Sequence, residues 1–337
     1  MSHSSMTDLP IVVLKILAMF LVMAIGWFAR WRGYLTEAVG QVMGRMLVDL
    51  IFPALVFTQM LKTINPEVMR AGWYLPLLGY GLMVVAEVVA LIIIPLFNGK
   101  ERKNTAIFLA AMPNWIYLPL PIVQGLFGDA GIRDILLYNV GFQLALWTIG
   151  VWTLRTGRPD LKSFRGLLLN PGLMATVAGI LLALVWPAAR MLDSVRPQGI
   201  FSATMPLAAI FQSLDMLGSL TIPLSLLITG IQLGGLKLSD HIPSRNLVGV
   251  IVARLIVAPA ATVLLMQVAG RFGFRLDDVP RITAYLIAAM PVAISCSIVA
   301  ERFAGNAALS AKAIFYSTLL SIVTVPAFYY VVRFFNL

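Results

Sequence analysis

The sequence predicts an all-α polytopic membrane protein of ten transmembrane helices in two inverted five-helix repeats, with helices four and nine broken and crossing. Three observations predict it. Of the 337 residues, 60 % are hydrophobic and only 12 % charged, with a mean hydropathy of +0.90, outside the range of soluble domains. Apolar runs of about 18 to 25 residues recur along the whole chain, each long enough to cross roughly 30 Å of hydrocarbon. The string Ala-Ala-Met-Pro occurs twice, at 110–113 and at 288–291, each time inside such a run.

The runs follow in order. Residues 9–29 form the first, preceded by Met-Ser-His-Ser-Ser-Met-Thr-Asp, which has neither a basic region nor a small-residue cleavage site. It reads as a retained span and not a signal peptide, with Lys15 snorkelling to the interface. Run two (38–61) carries Asp49 near Pro53, and run three (73–97) carries Glu87 near its middle. Run four (104–127) holds Pro113, Pro119 and Pro121 within nine positions. An unbroken helix does not accommodate them, because each proline lacks an N–H and clashes with the preceding turn. Runs five (134–154) and six (167–189) precede a link, 190–215, that is itself partly apolar and suited to a short interfacial or kinked helix. Run seven (216–236) contains Thr229 and Gln232, run eight (246–269) Arg254, run nine (280–300) the second broken motif, and run ten (310–332) closes the series. The other connections are short, so no appended soluble domain is expected.

The halves divide near residue 160, into 1–160 and 161–337. Pro113 is followed after fifteen residues by Gly-Asp-Ala-Gly-Ile (128–132), and Pro291 after fourteen by Gly-Asn-Ala-Ala-Leu (305–309). Ile-Phe-Pro-Ala-Leu (51–55) matches Thr-Ile-Pro-Leu-Ser (221–225), and Val-Val-Ala-Glu (84–87) matches Ile-Val-Ala-Arg (251–254). Single matches in so apolar a chain are cheap; an ordered series at offsets of 167 to 178 residues is not. Five spans per half is odd, so the second half enters the membrane from the opposite side. Broken spans at matching places in inverted repeats point to a midplane site of a transporter working by alternating access.

The net charge of +10 does not indicate nucleic acid, because no basic stripe lies outside the spans; membrane lipid headgroups account for it. Twelve Lys and Arg fall in the odd-numbered loops and nine on the other side. This places the odd loops in the cytoplasm and both termini outside it. The single cysteine, Cys296, excludes an intramolecular disulfide, and His3 and His241, the two histidines, offer little to a metal or to His-based catalysis. No cofactor and no metal are expected. With no His in a span and no Asp pair at helical spacing there, an intramembrane enzyme is disfavoured.

Breaking a helix exposes N–H groups at one half's start and carbonyls at the other's end. The N–H end carries partial positive charge and favours anions, so two such ends facing one ligand suit a carboxylate. Asn114, after Pro113, either contacts that ligand or caps the broken helix. Trp115 and Tyr117 either flank the ligand or pack against lipid and protein. Beyond Pro291, the small polar Ser295, Cys296 and Ser297 either line the site or serve ordinary helix packing; Gln232 and Thr229 are further candidates. Intramembrane charges cost a few kcal/mol and usually have a reason. Glu87 and Arg254, at matching repeat positions, read as an ion pair, structural or coupling, or Glu87 reads as protonatable by itself. Asp49 is a further coupling candidate.

These residues resemble the auxin efflux carrier family, which includes the plant PIN carriers and bacterial permeases for malonate and malate. The family's fourth-span pattern is matched by Pro113, Asn114, Pro121, Gly125 and Gly128, and its Asn-Pro at span six by Asn170 and Pro171. Its Met-Pro before span seven appears as Met205-Pro206, its span-eight string as Arg254 to Pro259, and its ending as Ala-Glu-Arg-Phe (300–303), Ser317 to Leu320 and Pro326. The resemblance implies a scaffold and homodimer interface of spans 1, 2, 6 and 7. It implies a moving unit of spans 3–5 and 8–10, an organic-anion substrate, ligand roles for Asn114 and Asn170, and a bacterial inner membrane location. Cys296 stands where plant members have a second proline, Gly172 where they have a second Asn, and their long central loop is absent; these departures weaken an inference to auxin itself. The expected function is secondary transport of a small mono- or dicarboxylate by alternating access, with proton coupling through Glu87 one of the drives open to it. The alternative is a sodium-coupled organic-anion symporter of the bile-acid type, which needs more Asn, Gln, Glu and Thr near the crossing than Asn114 and Gln124.

Overall fold

The computed structural model describes residues 4–99, 103–154, 171–187, 189, 205–235, 244–303, 305–335 and 337. The helices run α1 (Ser4–Trp31), α2 (Glu37–Thr63), α3 (Pro66–Phe97), α4 (Lys103–Ala111), α5 (Pro119–Leu154), α6 (Pro171–Val185), α7 (Met205–Gly234), α8 (Arg245–Arg271), α9 (Asp278–Ala289), α10 (Ser295–Arg302) and α11 (Ala307–Phe334). No strand occurs among the described residues, and six of these helices (α2, α3, α5, α7, α8 and α11) are long and apolar enough to cross a membrane alone. The chain is a polytopic, all-helical membrane protein. α4 and α9 are too short for that, since a crossing takes about 20 residues.

Local chemistry explains where the helices start and stop. The side chains of Thr36, Asn65, Ser244 and Asn306 each accept from the N–H three residues on, opening α2, α3, α8 and α11. Asn98 (φ 42°) ends α3, and Gly33 (φ 78°) and Gly273 (φ 89°) lie just past the ends of α1 and α8, in the left-handed region that stops helices. α7 starts at Met205, well inside the link expected at 190–215, so that link's second part belongs to the seventh helix. α5 turns at Gly128 (φ 58°, ψ −139°), where the fourth and fifth apolar runs were divided, so the helix holds the end of one run and the whole of the next.

Two helices widen to π turns ahead of a proline. Leu47–Ile51 in α2 precedes Pro53, and Ala253–Val257 in α8 precedes Pro259. A proline ring collides with the carbonyl four residues back, here Asp49 and Leu255, and an added residue in the turn relieves the collision. The third π turn, Leu146–Gly150 in α5, contains no proline.

Glycines set which helices lie closest. Gly26 of α1 rests on the Leu227 carbonyl of α7, and Gly230 of α7 on the Met23 carbonyl of α1. Gly179 of α6 and Gly218 of α7 both lie against α2, at Met60 and Leu55. In a second group, Gly79 of α3 rests on the Tyr138 carbonyl of α5, and Gly141 of α5 on the Pro76 carbonyl of α3. Gly249 of α8 meets Phe97 of α3, and Gly150 of α5 meets Met112. Each of these contacts joins helices within α1, α2, α6 and α7, or within α3, α4, α5 and α8. Between the groups the contacts run through side chains, as where Phe52 meets Tyr117 edge-on at 5.9 Å.

Candidate binding site

α4 ends at Ala111 and α9 at Ala289, each just before the Met-Pro of its motif. The two interruptions meet. The Asn114 N–H donates to the Pro291 carbonyl (2.7 Å) and the Ala293 N–H to the Met112 carbonyl (3.1 Å), an isolated antiparallel bridge between Pro113 and Val292. Proline forces this arrangement: the helical ladder stops, and two segments freed from it pair with each other in place of water. The Val292 N–H is held by Ser317 Oγ of α11 (3.1 Å).

Asn114 is 2 % exposed. Its Oδ1 accepts from the Tyr117 N–H (3.1 Å), which shapes the turn into α5. Its Nδ2 is buried with no hydrogen-bond partner among the described residues. The two readings of this residue are therefore divided between its two atoms: the oxygen caps the turn, and the nitrogen is a donor left for something else. A buried unpaired donor costs about 1–3 kcal/mol, so its presence asks for an acceptor.

The neighbouring aromatics have structural partners. Trp115 donates from Nε1 to Asn139 Oδ1 of α5 (2.9 Å) and stacks on Phe142 at 5.6 Å. Tyr117 packs on Phe52 and against the small cluster of Leu47, Ile51 and Ile228, so it touches the first helix group from the second. Beyond the other break, Ser295 is half-buried at the start of α10, while Cys296 is fully buried, its N–H donating to the Ala293 carbonyl (3.0 Å). The Ser297 side chain and Asn170 lie outside the described residues.

The Glu87–Arg254 ion pair expected from the matching positions does not form. Glu87, 6 % exposed on α3, accepts from the Thr153 hydroxyl of α5, and its Oε2 has no partner among the described residues. Arg254, 1 % exposed on the π turn of α8, points elsewhere. Its Nη1 donates to the Ala110 (3.3 Å) and Ala111 (3.2 Å) carbonyls and its Nη2 to the Ala288 carbonyl (2.6 Å). A charged side chain at mid-membrane costs roughly 3 kcal/mol on insertion scales, and those three carbonyls, orphaned by the helix ends, are strong acceptors. Asp49 is exposed on the side of α2 that carries Met46, Val48 and Leu50, and is not among the junction's contacts. Gln232 is half-buried on α7, one turn beyond the Ile228 that lies near Tyr117. Thr229 is buried and donates to the Ser225 carbonyl (2.7 Å).

Sequence reasoning missed the residues that hold the site in place: Asn139 on Trp115, Ser317 on Val292 and Thr153 on Glu87. Each is an uncharged polar residue within an apolar run. That is a signal of burial with a partner, but it does not name the partner.

A family model described as "Membrane transport protein" matches residues 11–163 and 158–329. The chain belongs to this family. Among its similar proteins is an uncharacterised transporter of Methanocaldococcus jannaschii, 20 % identical over 314 residues, covering 92 % of this chain and 95 % of that one. A Rhizobium meliloti protein named "Putative malonate transporter" is 24 % identical over 317 residues, covering 89 % and 92 %. The Arabidopsis thaliana protein PIN-LIKES 7 is 23 % identical over 321 residues, covering 76 % and 80 %. The resemblance to the auxin efflux carriers drawn from the motifs thus holds.

Proposed function

We propose that this membrane transport protein is a secondary carrier of small organic anions, a mono- or dicarboxylate such as malonate or malate, bound where the fourth and ninth spans cross. The Asn114 Nδ2 carries this reading: a buried donor without a partner among the described residues, at the meeting of two broken helices. A carboxylate oxygen is the acceptor that fits it, since a charged acceptor forms the stronger bond. The start of α10 lies on the same junction, and its N–H end favours negative charge. The name of the Rhizobium relative supports a dicarboxylate over auxin.

The architecture proposed with it is ten spans in two inverted repeats, counting α4 with the start of α5, and α9 with α10, as the two crossed spans. α1, α2, α6 and α7 are the scaffold, and by the family resemblance the homodimer interface; the remaining helices are the moving unit. The glycine contacts support this division, because they tie helices within each group and leave bulky side chains such as Phe52 and Tyr117 between them. Such an interface slides without breaking backbone-to-backbone packing, as an elevator requires. We place the protein in a bacterial inner membrane with both termini outside the cytoplasm.

Uptake of radiolabelled malonate and malate into proteoliposomes tests the proposal, with saturable uptake expected for at least one of them. Uptake of neither, nor of any related carboxylate, at either orientation of the gradient would end it. Strict dependence on a sodium gradient would transfer the protein to the sodium-coupled alternative. Glu87 is the proposed proton site, because its Oε2 is buried and has no partner among the described residues. Glu87→Gln is expected to keep uptake under a substrate gradient alone and to lose its acceleration by an inward proton gradient. A variant accelerated as strongly as the parent would show that the proton binds elsewhere or that none is coupled.

A further inference from the structure

We propose that Arg254 is the positioning residue of the junction, one guanidinium holding the carbonyl ends of both first half-helices and cancelling their charge so that the site presents a net positive face. This rests on the carrier reading for its second part and deepens it; the first part stands on geometry alone. The Nη1 and Nη2 atoms reach Ala110 and Ala111 at the end of α4, and Ala288 at the end of α9. Those are three of the four alanines of the duplicated Ala-Ala-Met-Pro motif. The repeat therefore has a physical reason beyond its prolines: small side chains leave room for a planar cation against the last carbonyls, while Met-Pro ends the helix there. All three alanines are buried, as is Arg254.

The fork of the guanidinium matters, because its donors lie in one plane at fixed angles and serve two helices at once. So does the charge. Each helix end carries about half an elementary charge, so the two carbonyl ends together are offset by roughly one cation. What remains at the junction is the N–H end opening α10, and the Asn114 amide; α5 opens on Pro119 and Pro121, which have no N–H. Without that cation the two carbonyl ends would repel an anion. The π turn at Ala253–Val257 aims Arg254 at this point, and it exists because Pro259 follows.

The test compares the full chain with Arg254→Met and Arg254→Lys in lipid nanodiscs, by amide hydrogen exchange and by melting with and without malonate. Arg254→Met is expected to speed exchange at 112–118 and 290–296 at least tenfold, leave α2 and α6 unchanged, and abolish the malonate-induced rise in melting temperature. Arg254→Lys, which keeps the charge and loses the fork, is expected to speed exchange there by less and to retain part of the malonate effect. Exchange in Arg254→Met equal to that of the parent overturns the positioning role, and a malonate effect undiminished in that variant overturns the charge role. If Arg254→Met does not fold, Arg254→Lys decides: faster exchange confined to the two breaks supports the proposal, and unchanged or uniformly faster exchange overturns it. A parent chain that responds to no carboxylate, with exchange still faster in the variants, refutes the carrier reading and leaves the positioning role standing.

Discussion

Asn114→Asp is expected to insert like the parent chain but to lose carboxylate uptake by roughly 100-fold, the size expected when a charge-assisted bond is replaced by a repulsion. The substitution is chosen because the two ends of Asn114 do different work. Its Oδ1 accepts the Tyr117 N–H and shapes the entry to α5, and aspartate keeps that acceptor. Its Nδ2 is the buried donor without a partner, and aspartate puts an acceptor in its place. Asn114→Ala removes both and confounds capping with binding. The measurement is initial uptake rate in proteoliposomes beside a melting curve of the same preparation. An Asp variant that transports at the parental rate would dismiss the Nδ2 as the ligand contact, whatever the alanine variant does.

Gly230→Val is expected to give no monodisperse protein on size-exclusion chromatography, the largest structural effect of a single substitution here. A side chain at Gly230 runs into the Met23 carbonyl, and its partner Gly26 into the Leu227 carbonyl, so α1 and α7 touch backbone to backbone. Neither side can yield by turning a side chain, and overpacking of even yielding sites costs about 1–3 kcal/mol. In a membrane, where lipid tails are as apolar as leucine, helices associate through such close packing, so loss of the contact separates the pair. Gly81→Ala is the control, because nothing lies near its missing Cβ, and it is expected to behave as the parent. Normal recovery of Gly230→Val would show that α1 and α7 are not held by this contact.

Both outcomes turn on features that were unequally legible in the sequence. The polytopic class followed from hydropathy alone. So did the position of the two interruptions, because a proline acts on its own turn whatever surrounds it, and α4 and α9 stop at the Met-Pro pairs. Asn114 was legible as a residue with two uses, but not how its atoms divide them. Glu87 and Arg254 were legible as residues with a reason to be there, but of the two readings open for them the ion pair does not form. Opposite charges at matching repeat positions suggested each other, yet the stronger demand on Arg254 came from backbone carbonyls that only the meeting of two distant segments places together.

What the amino-acid order determined by itself is therefore local: which stretches prefer lipid, where a ring without an N–H stops a helix, which side chain caps the next one. The tertiary structure decided every choice among competing partners, such as Thr153 for Glu87, three alanine carbonyls for Arg254 and Asn139 for Trp115. The physical reason is that in a medium without water each buried donor or acceptor must find a counterpart inside the protein, and residues far apart in the chain become neighbours only once the helices have packed.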